Sequence, residues 1–309
     1  MPRKPERGAA LIVALLVVAL VAGIAAAAVN NLGIAFAGVS DRHDRAQARQ
    51  LARGAVEWAR NVLAEDARTS AVDHLHEEWA IKVPPTPVEE GEVSGELLDY
   101  SGRFNLNNLL RGGTASEADI AAFVRLLQLL GLPENEARAR ADALVDWIDA
   151  DQASRSSGGA EAEWYAAQNP PRRPPNAPLA DVGELAQIRG FTPQLVGLLR
   201  PLVAALPPGS LLNVNTAPPE VLAATIDGLG LDAARRLVAD RERAWYKDKA
   251  DFAARLPKSV NLPDNVMLST SSRYFLAVGR ARYGVSAVNM EVLLDRKQQW
   301  SDIIWQRQL

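Results

Sequence analysis

The 309-residue chain contains no cysteine, which removes disulfides, thiolate nucleophiles and zinc–thiolate centres at once. Stability outside the cytoplasm must then come from packing or from a bound ion. Imidazole is scarce as well: His43, His74 and His76 all precede residue 80, so the main body has no histidine for acid–base work. Enzyme signatures are missing too, with no Gly-x-Ser-x-Gly, no phosphate loop and no metal-binding histidine pair on a helix face. There is no cationic surplus. The formal net charge is −3, and because Arg3, Lys4 and Arg7 outweigh Glu6 at the start, the remainder is more acidic than the whole. Affinity for nucleic acid rests on phosphate contacts, so this balance disfavours such binding as the main role. What is present is a hydrophobic content of 48%. The length leaves room for two ordinary domains, or for one domain with a large insertion.

Charge is absent from Gly8 to Ser40, and Ala9 to Val29 is apolar throughout. As a helix that run reaches ~31 Å, enough to cross a hydrocarbon core. The basic flank precedes it, which keeps the N-terminus cytoplasmic and exports the rest. The rival is a secretory signal peptide cut near Ala26-Ala27-Ala28, but its apolar region would exceed the usual length of about 7–15 residues. Proline is then absent from Ser40 to Ile81, so the same helix continues. Leu51, Ala55, Trp58 and Val62 fall at i, i+4, i+7 and i+11 and make one apolar stripe. That stripe needs cover, either from the protein's own sheet or from partner helices.

These residues carry a family resemblance. Arg3, Lys4, Arg7 and Gly8, followed by Ala9 to Leu16, resemble a class III prepilin leader. The segments Gly54 to Arg60, Leu63 to Asp66, Gly102 to Leu109, Val145 to Asp149 and Leu212 to Ala217, in that order, are similar to the minor pseudopilin K family of type II secretion. The resemblance implies cleavage by a prepilin peptidase after Gly8, leaving Ala9 as the mature N-terminus. It implies an inner-membrane anchor with a periplasmic body, and a place at the tip of the pseudopilus. Most pilins carry Glu at the fifth mature position, where this chain has Val13. A lone carboxylate in the bilayer is costly, and a first subunit has no neighbour ahead to pair with it. The implied partners are the minor pseudopilins I and J, other pseudopilins and an inner-membrane assembly platform. The helix stripe at Leu51, Ala55 and Trp58 is expected to meet them. The implied role is structural, in export across the outer membrane.

The expected fold is α+β: a pilin-like fold with a long N-terminal transmembrane helix, a small antiparallel sheet and a large all-α insertion of SAM-like or helix-hairpin-helix-like units. The boundaries are a leader over 1–8, the helix over 9–82, the sheet domain over 83–108 and 262–309, and the insertion over 109–261. Pro84, Pro85 and Pro87 read as a linker. Glu92 to Phe104 reads as a hairpin broken at Gly95 and at Ser101-Gly102. Tyr274 to Val278, Ser286 to Leu294 and Trp300 to Gln306 read as strands turned at Gly284 and at Asp295-Arg296-Lys297. Within the insertion, glycine turns recur at Gly131, Gly190 and Gly228, each joining helices.

Two readings of the insertion remain open at this stage. The segment Asn213 to Ala217 with Gly228-Leu229-Gly230 would fit a DNA-binding hairpin, making the chain a membrane-anchored, DNA-binding pilin-like protein. Against this, Asp227 and Asp232 flank the glycines and would repel phosphate, and a scaffold helix pair is the simpler reading. Pro170 to Pro178, with Arg172 and Arg173, reads as a stiff connector. Asp146, Asp149 and Asp151 end an amphipathic helix and open a Ser/Gly loop that Glu161 and Glu163 close. Carboxylates at a helix C-terminus are unfavourable on dipole grounds, and a cation would relieve them. Oxygen ligands in a flexible loop suit calcium. On the residues alone a solvated acidic loop is the simpler reading. The resemblance implies calcium held by Asp149, Asp151, Glu161 and Glu163.

Overall fold

The computed structural model describes residues 7–89, 91–156, 158–263, 266–297 and 299–309. Of the leader, residues 1–6 lie outside the described residues, and Gly8 and Ala9 fall in the first turn of α1 (Arg7–Thr69). This helix is unbroken over 63 residues, because no proline lies between Pro5 and Pro84. Its first part is exposed and apolar, and it is the one described helix long and apolar enough to cross a membrane. The second part turns Ala48, Ala52, Val56, Ala59 and Leu63 inward, at the i, i+4, i+8 spacing of a single helix face. The small alanines let the backbone lie close against the sheet.

The helix stops at Thr69, short of the expected residue 82. The Thr69 hydroxyl donates back to the carbonyls of Glu65 and Asp66, and the chain then turns so that a short 3-10 segment, Glu78–Ala80, buries Trp79 edge-on to Phe275 at 5.1 Å. Pro84, Pro85 and Pro87 are not a linker. They lie in β1 (Val83–Val88), an edge strand whose pairing with β2 is irregular between Val83 and Thr86, across Pro84 and Pro85. The expected hairpin over Glu92 to Phe104 is also corrected. β2 (Gly91–Asp99) is one strand, and it forms its hairpin with β1. Gly95 does not break it: a Cβ there would meet the Val278 carbonyl at 2.6 Å, so the glycine marks close strand approach.

The insertion follows: β3 (Phe104–Asn105), β4 (Leu110–Arg111), β5 (Thr114–Ala115), α2 (Glu117–Leu129), α3 (Glu134–Ile148), α4 (Ala162–Ala166), α5 (Pro193–Leu199), β6 (Val203–Ala204), β7 (Leu212–Asn213), α6 (Pro219–Thr225), α7 (Leu231–Arg241), α8 (Lys249–Ala254) and β8 (Leu268–Ser269). Its core gathers Phe123, Leu127, Leu144, Trp147, Leu222 and Phe252. The glycine turns are as the sequence suggests, with φ of +94° at Gly131, +86° at Gly190 and +74° at Gly228. The chain ends in β9 (Tyr274–Tyr283), β10 (Ser286–Asp295) and β11 (Asp302–Gln308).

The main sheet is five-stranded, in the order β1-β2-β9-β10-β11, with every pairing antiparallel. The small pairs β3–β6, β4–β5 and β7–β8 brace the insertion. At one end of the sheet the β9–β10 turn is tied to the part of α1 that follows the apolar run: Val285 N–H donates to Asp44 at 3.3 Å and the Ser286 hydroxyl to Asp41 at 3.0 Å. The insertion leaves after Asp99 and returns before Tyr274, at the opposite end. It therefore sits away from the apolar part of α1.

Candidate functional site

The acidic loop closes on itself. α3 ends at Ile148, and Asp149 caps it with extended backbone, which sends the chain into the loop. Arg155 pins the loop to the helices: its guanidinium pairs with Glu117 and with Asp142, the latter at 3.5 Å, while its backbone N–H donates to the buried Asp146 carboxylate at 3.1 Å. Asn176 donates to the Asp151 carbonyl at 2.9 Å from the proline-rich connector. Glycine is required where the loop meets this helix. A Cβ at Gly159 would collide with the Asp146 carboxylate and the Arg155 carbonyl.

This folding brings Asp149, Asp151 and Glu161 together, with one carboxylate oxygen from each lying within 4.8 Å of the others. Asp149 and Glu161 are buried, and Asp151 is exposed. Oδ1 of Asp149 and both oxygens of Glu161 are buried without a hydrogen-bond partner. Glu161 precedes α4, yet its side chain does not cap that helix. Burial, then the charges of Asp146, Asp149 and Asp151, pushes Glu161 up to about 7. Burial, then Asp151 and Asp146, pushes Asp149 up to about 6. Buried acceptors without donors are rare, and a hard cation supplies what they lack. Glu163 does not join the group. It lies exposed in the first turn of α4, outside the convergent group.

A second acidic group shows what a satisfied cluster looks like. Asp66, Asp73 and Glu77 also converge. Here Arg296 donates to Asp66 at 2.6 Å and to Asp73 at 2.6 Å, while Glu77 accepts from the Trp79 indole at 2.8 Å and from the His74 N–H at 2.9 Å. The chain's own guanidinium fills the place of a cation. Sequence inspection found Arg296 only as a turn residue, because its partners lie more than 200 positions away.

The stripe expected to meet partners is displaced from the core. The residues facing the sheet are one step on, at Ala48, Ala52, Val56, Ala59 and Leu63. Leu51, Ala55 and Val62 are half-buried, and Trp58 is 55% exposed. Together with Ile81 and Val93 they line an apolar groove of about 560 Å³ between α1 and the β1–β2 hairpin. An indole left this open beside an apolar groove marks an unfilled contact.

The segment Asn213 to Thr216 is buried structure. Asn213 donates to Ser272 at 2.7 Å and to the Asp73 carbonyl at 3.1 Å, Asn215 to the Tyr246 carbonyl at 2.9 Å, and Thr216 to Asp99 at 2.5 Å. Asn105, Asn107 and Asn108 likewise bind buried carbonyls of the insertion. The Asn213 to Thr216 run is a joint between insertion and sheet, whereas the Asn105 to Asn108 run ties the insertion to itself. At the α6–α7 turn, Asp227 pairs with Arg125 at 3.2 Å and Asp232 with Arg235 at 3.3 Å, so the acids stand where phosphate would approach. No observation supports the DNA-binding reading.

An apolar helix continuing into a five-stranded roll, with a helical insertion at the far end, defines a membrane-anchored, pilin-like subunit. The comparisons are specific. A family model described as type II secretion system protein K matches residues 102–208, and a second of the same description matches residues 212–271. Type II secretion system protein K of Pseudomonas aeruginosa is 34% identical, across 91% of this chain and 86% of its own length. That of Aeromonas hydrophila is 31% identical, across 94% and 93%. A chain in the crystal structure of the GspK–GspI–GspJ complex of the enterotoxigenic Escherichia coli type 2 secretion system superposes with a TM-score of 0.79 at 25% identity. The match covers 88% of this chain and 99% of that one. The chain belongs to the type II secretion system protein K family, whose members are minor pseudopilins.

Proposed function

We propose that this minor pseudopilin stands at the tip of a pseudopilus, anchored once in the inner membrane with its body in the periplasm. The observation that carries the reading is the position of the insertion. It occupies the end of the sheet opposite the β9–β10 turn, so its bulk lies where a further subunit would otherwise stack. Partners are minor pseudopilins I and J, as in the complex of the related chain, followed by other pseudopilins and an inner-membrane assembly platform. The groove at Leu51, Ala55 and Trp58 takes a partner helix, since an amphipathic helix face fits an elongated apolar groove. Its role in export is mechanical, and the chain carries no chemistry of its own.

Processing precedes assembly. A prepilin peptidase cuts after Gly8, and the mature chain starts at Ala9. Intact mass of the membrane-extracted protein tests this, and a chain beginning near Val29 would point to an ordinary signal peptide. For the groove, Leu51→Arg with Ala55→Arg puts charge on a face that partner binding must desolvate. Co-purification with pseudopilins I and J should fall, and unchanged recovery would refute the assignment.

Calcium completes the loop. Asp149, Asp151 and Glu161 are its ligands in this reading, supported by three convergent carboxylates with unpartnered buried oxygens. The expected fourth ligand, Glu163, is left out. The ion would fix the loop between α3 and α4. Calorimetry on the full chain should show calcium binding that Asp149→Ala with Asp151→Ala abolishes.

A further inference from the structure

The exported part of α1 carries a second patterned face that the groove does not use. Arg42, Arg49 and Arg53 follow one another at i, i+7 and i+11, which places them within about 40° around a helix of 3.6 residues per turn. All three are exposed. Arg42 donates to the Gly38 carbonyl of its own helix at 3.0 Å and Arg53 to Gln50 at 3.5 Å. None of the three meets a carboxylate among the described residues. The nearby acids are committed elsewhere. Asp41 and Asp44 turn to the β9–β10 turn, and Glu57 pairs with Arg60 at 2.9 Å. Arg60 continues the stripe and shows which side it faces: it donates to the Ser301 carbonyl at 2.8 Å and lies over the Trp300 ring at 4.6 Å, on the β11 flank. The groove opens on the β1–β2 flank. The buried alanine stripe separates the two faces.

Direction identifies the occupant. The three arginines are spread over about 16 Å along the axis of α1 at 1.5 Å per residue. Arg42 stands nearest the apolar run and Arg53 about 16 Å further along the axis, so a headgroup layer that holds Arg42 falls short of Arg53. Only a ligand running parallel to α1 reaches all three. We propose that Arg42, Arg49 and Arg53 receive a second neighbour: the α1-type helix of another pilin-like subunit, presenting carboxylates at matching turns. This rests on the pseudopilin assembly proposed above and deepens it. The chain takes one neighbour by apolar packing in the groove and another by charge on the opposite flank.

The test uses full-length chain and full-length minor pseudopilins I and J in neutral detergent, with dissociation constants measured for each pair at low and high salt. Arg49→Glu with Arg53→Glu should weaken one pair roughly tenfold at low salt and abolish the salt dependence of that pair. Arg49→Gln with Arg53→Gln, which only removes charge, should give a smaller loss on the same pair. Leu51→Arg should act on the other pair. If the glutamate pair binds both partners within about twofold of wild type while melting normally, the stripe is not an interface. Loss of affinity by Leu51→Arg in that same experiment would leave the groove reading intact. Nanodiscs with and without phosphatidylglycerol form the last arm. A defect seen only with anionic lipid would make the stripe a membrane contact and overturn the proposal.

Discussion

Replacing Arg296 with methionine keeps the length of the side chain and deletes the guanidinium that donates to both Asp66 and Asp73. Arg296 is 8% exposed, against 10% for Asp66 and 2% for Asp73. The substitution strands two carboxylates beneath the turn that follows β10. Breaking a buried pair by removing one partner typically costs about 3–5 kcal/mol. At about 2–4 °C per kcal/mol for a body of this size, thermal unfolding in detergent should shift down by roughly 6–20 °C. The sign with pH is fixed by the charge left behind. Burial, with Glu77 next, already raises Asp66 to about 6 in the presence of Arg296, and without the guanidinium it rises further. A carboxylate raised in the folded state is tolerated while protonated and costs stability as pH climbs through its folded value. The defect should therefore be small near about pH 5 and full near about pH 8. Adding Asp73→Asn to Arg296→Met should recover part of the loss. A single variant that melts within about 1 kcal/mol of wild type near neutral pH, or one whose defect ignores pH, would show that the network does not hold the helix end.

The acidic loop titrates in a way that calcium should reverse. Asp149 and Glu161 are raised to about 6 and about 7, so in ion-free protein the stability they favour is present below about pH 4 and lost as pH rises through those values. Calcium holds both ionised, so the melting difference between loaded and chelated protein should widen from about pH 5 to about pH 8. At a hundredfold excess over the dissociation constant the gain is about 2.7 kcal/mol, and no response to ion or chelator would remove the site. Asn213→Ala leaves the Asp73 carbonyl and the Asn215 N–H without partners inside the joint. Chemical denaturation should show a loss of about 1–3 kcal/mol, and a neutral result would make the joint incidental.

The elements that declare themselves locally were legible in the sequence. The uncharged run and its proline-free continuation predicted the helix, and the aromatic and β-branched segments after Tyr274, parted by turns at Gly284 and at Asp295-Arg296-Lys297, predicted the last three strands. What failed was set by distant contacts. The end of α1 is tied by Arg296, more than 200 positions away, and no local signal marks Thr69 as a stop. Pro84, Pro85 and Pro87 looked like a break because a strand edge that needs no N–H cannot be told from a linker until its neighbour is known. The stripe at Leu51, Ala55 and Trp58 was correctly apolar yet sits one step off the core face. Helical periodicity gives the period, and burial against the sheet then chooses between adjacent rows. In the acidic loop, the resemblance implied Asp149, Asp151, Glu161 and Glu163 together; the first three converge, while Glu163 lies exposed in the first turn of α4.

The two attachments of α1 bear on how such a subunit works. Near the membrane, Asp41 and Asp44 tie the helix to the β9–β10 turn. Some 25 residues on, Asp66 and Asp73 tie its end to the chain after β10. Between them the sheet lies along the alanine row, so the helix and the sheet form one lever instead of a body on a tether. Both clamps close on the same strand, β10, one at each end. The insertion is joined just beyond the second clamp, where Asp99, Asn213, Ser272 and Asp73 share hydrogen bonds. The path from α1 through β10 to the base of the insertion is therefore continuous. The two clamps differ in kind: the Asp41 and Asp44 ties lie at the surface, while Arg296 with Asp66 and Asp73 is a buried, charge-assisted joint, so α1 is held most firmly at the end next to the insertion.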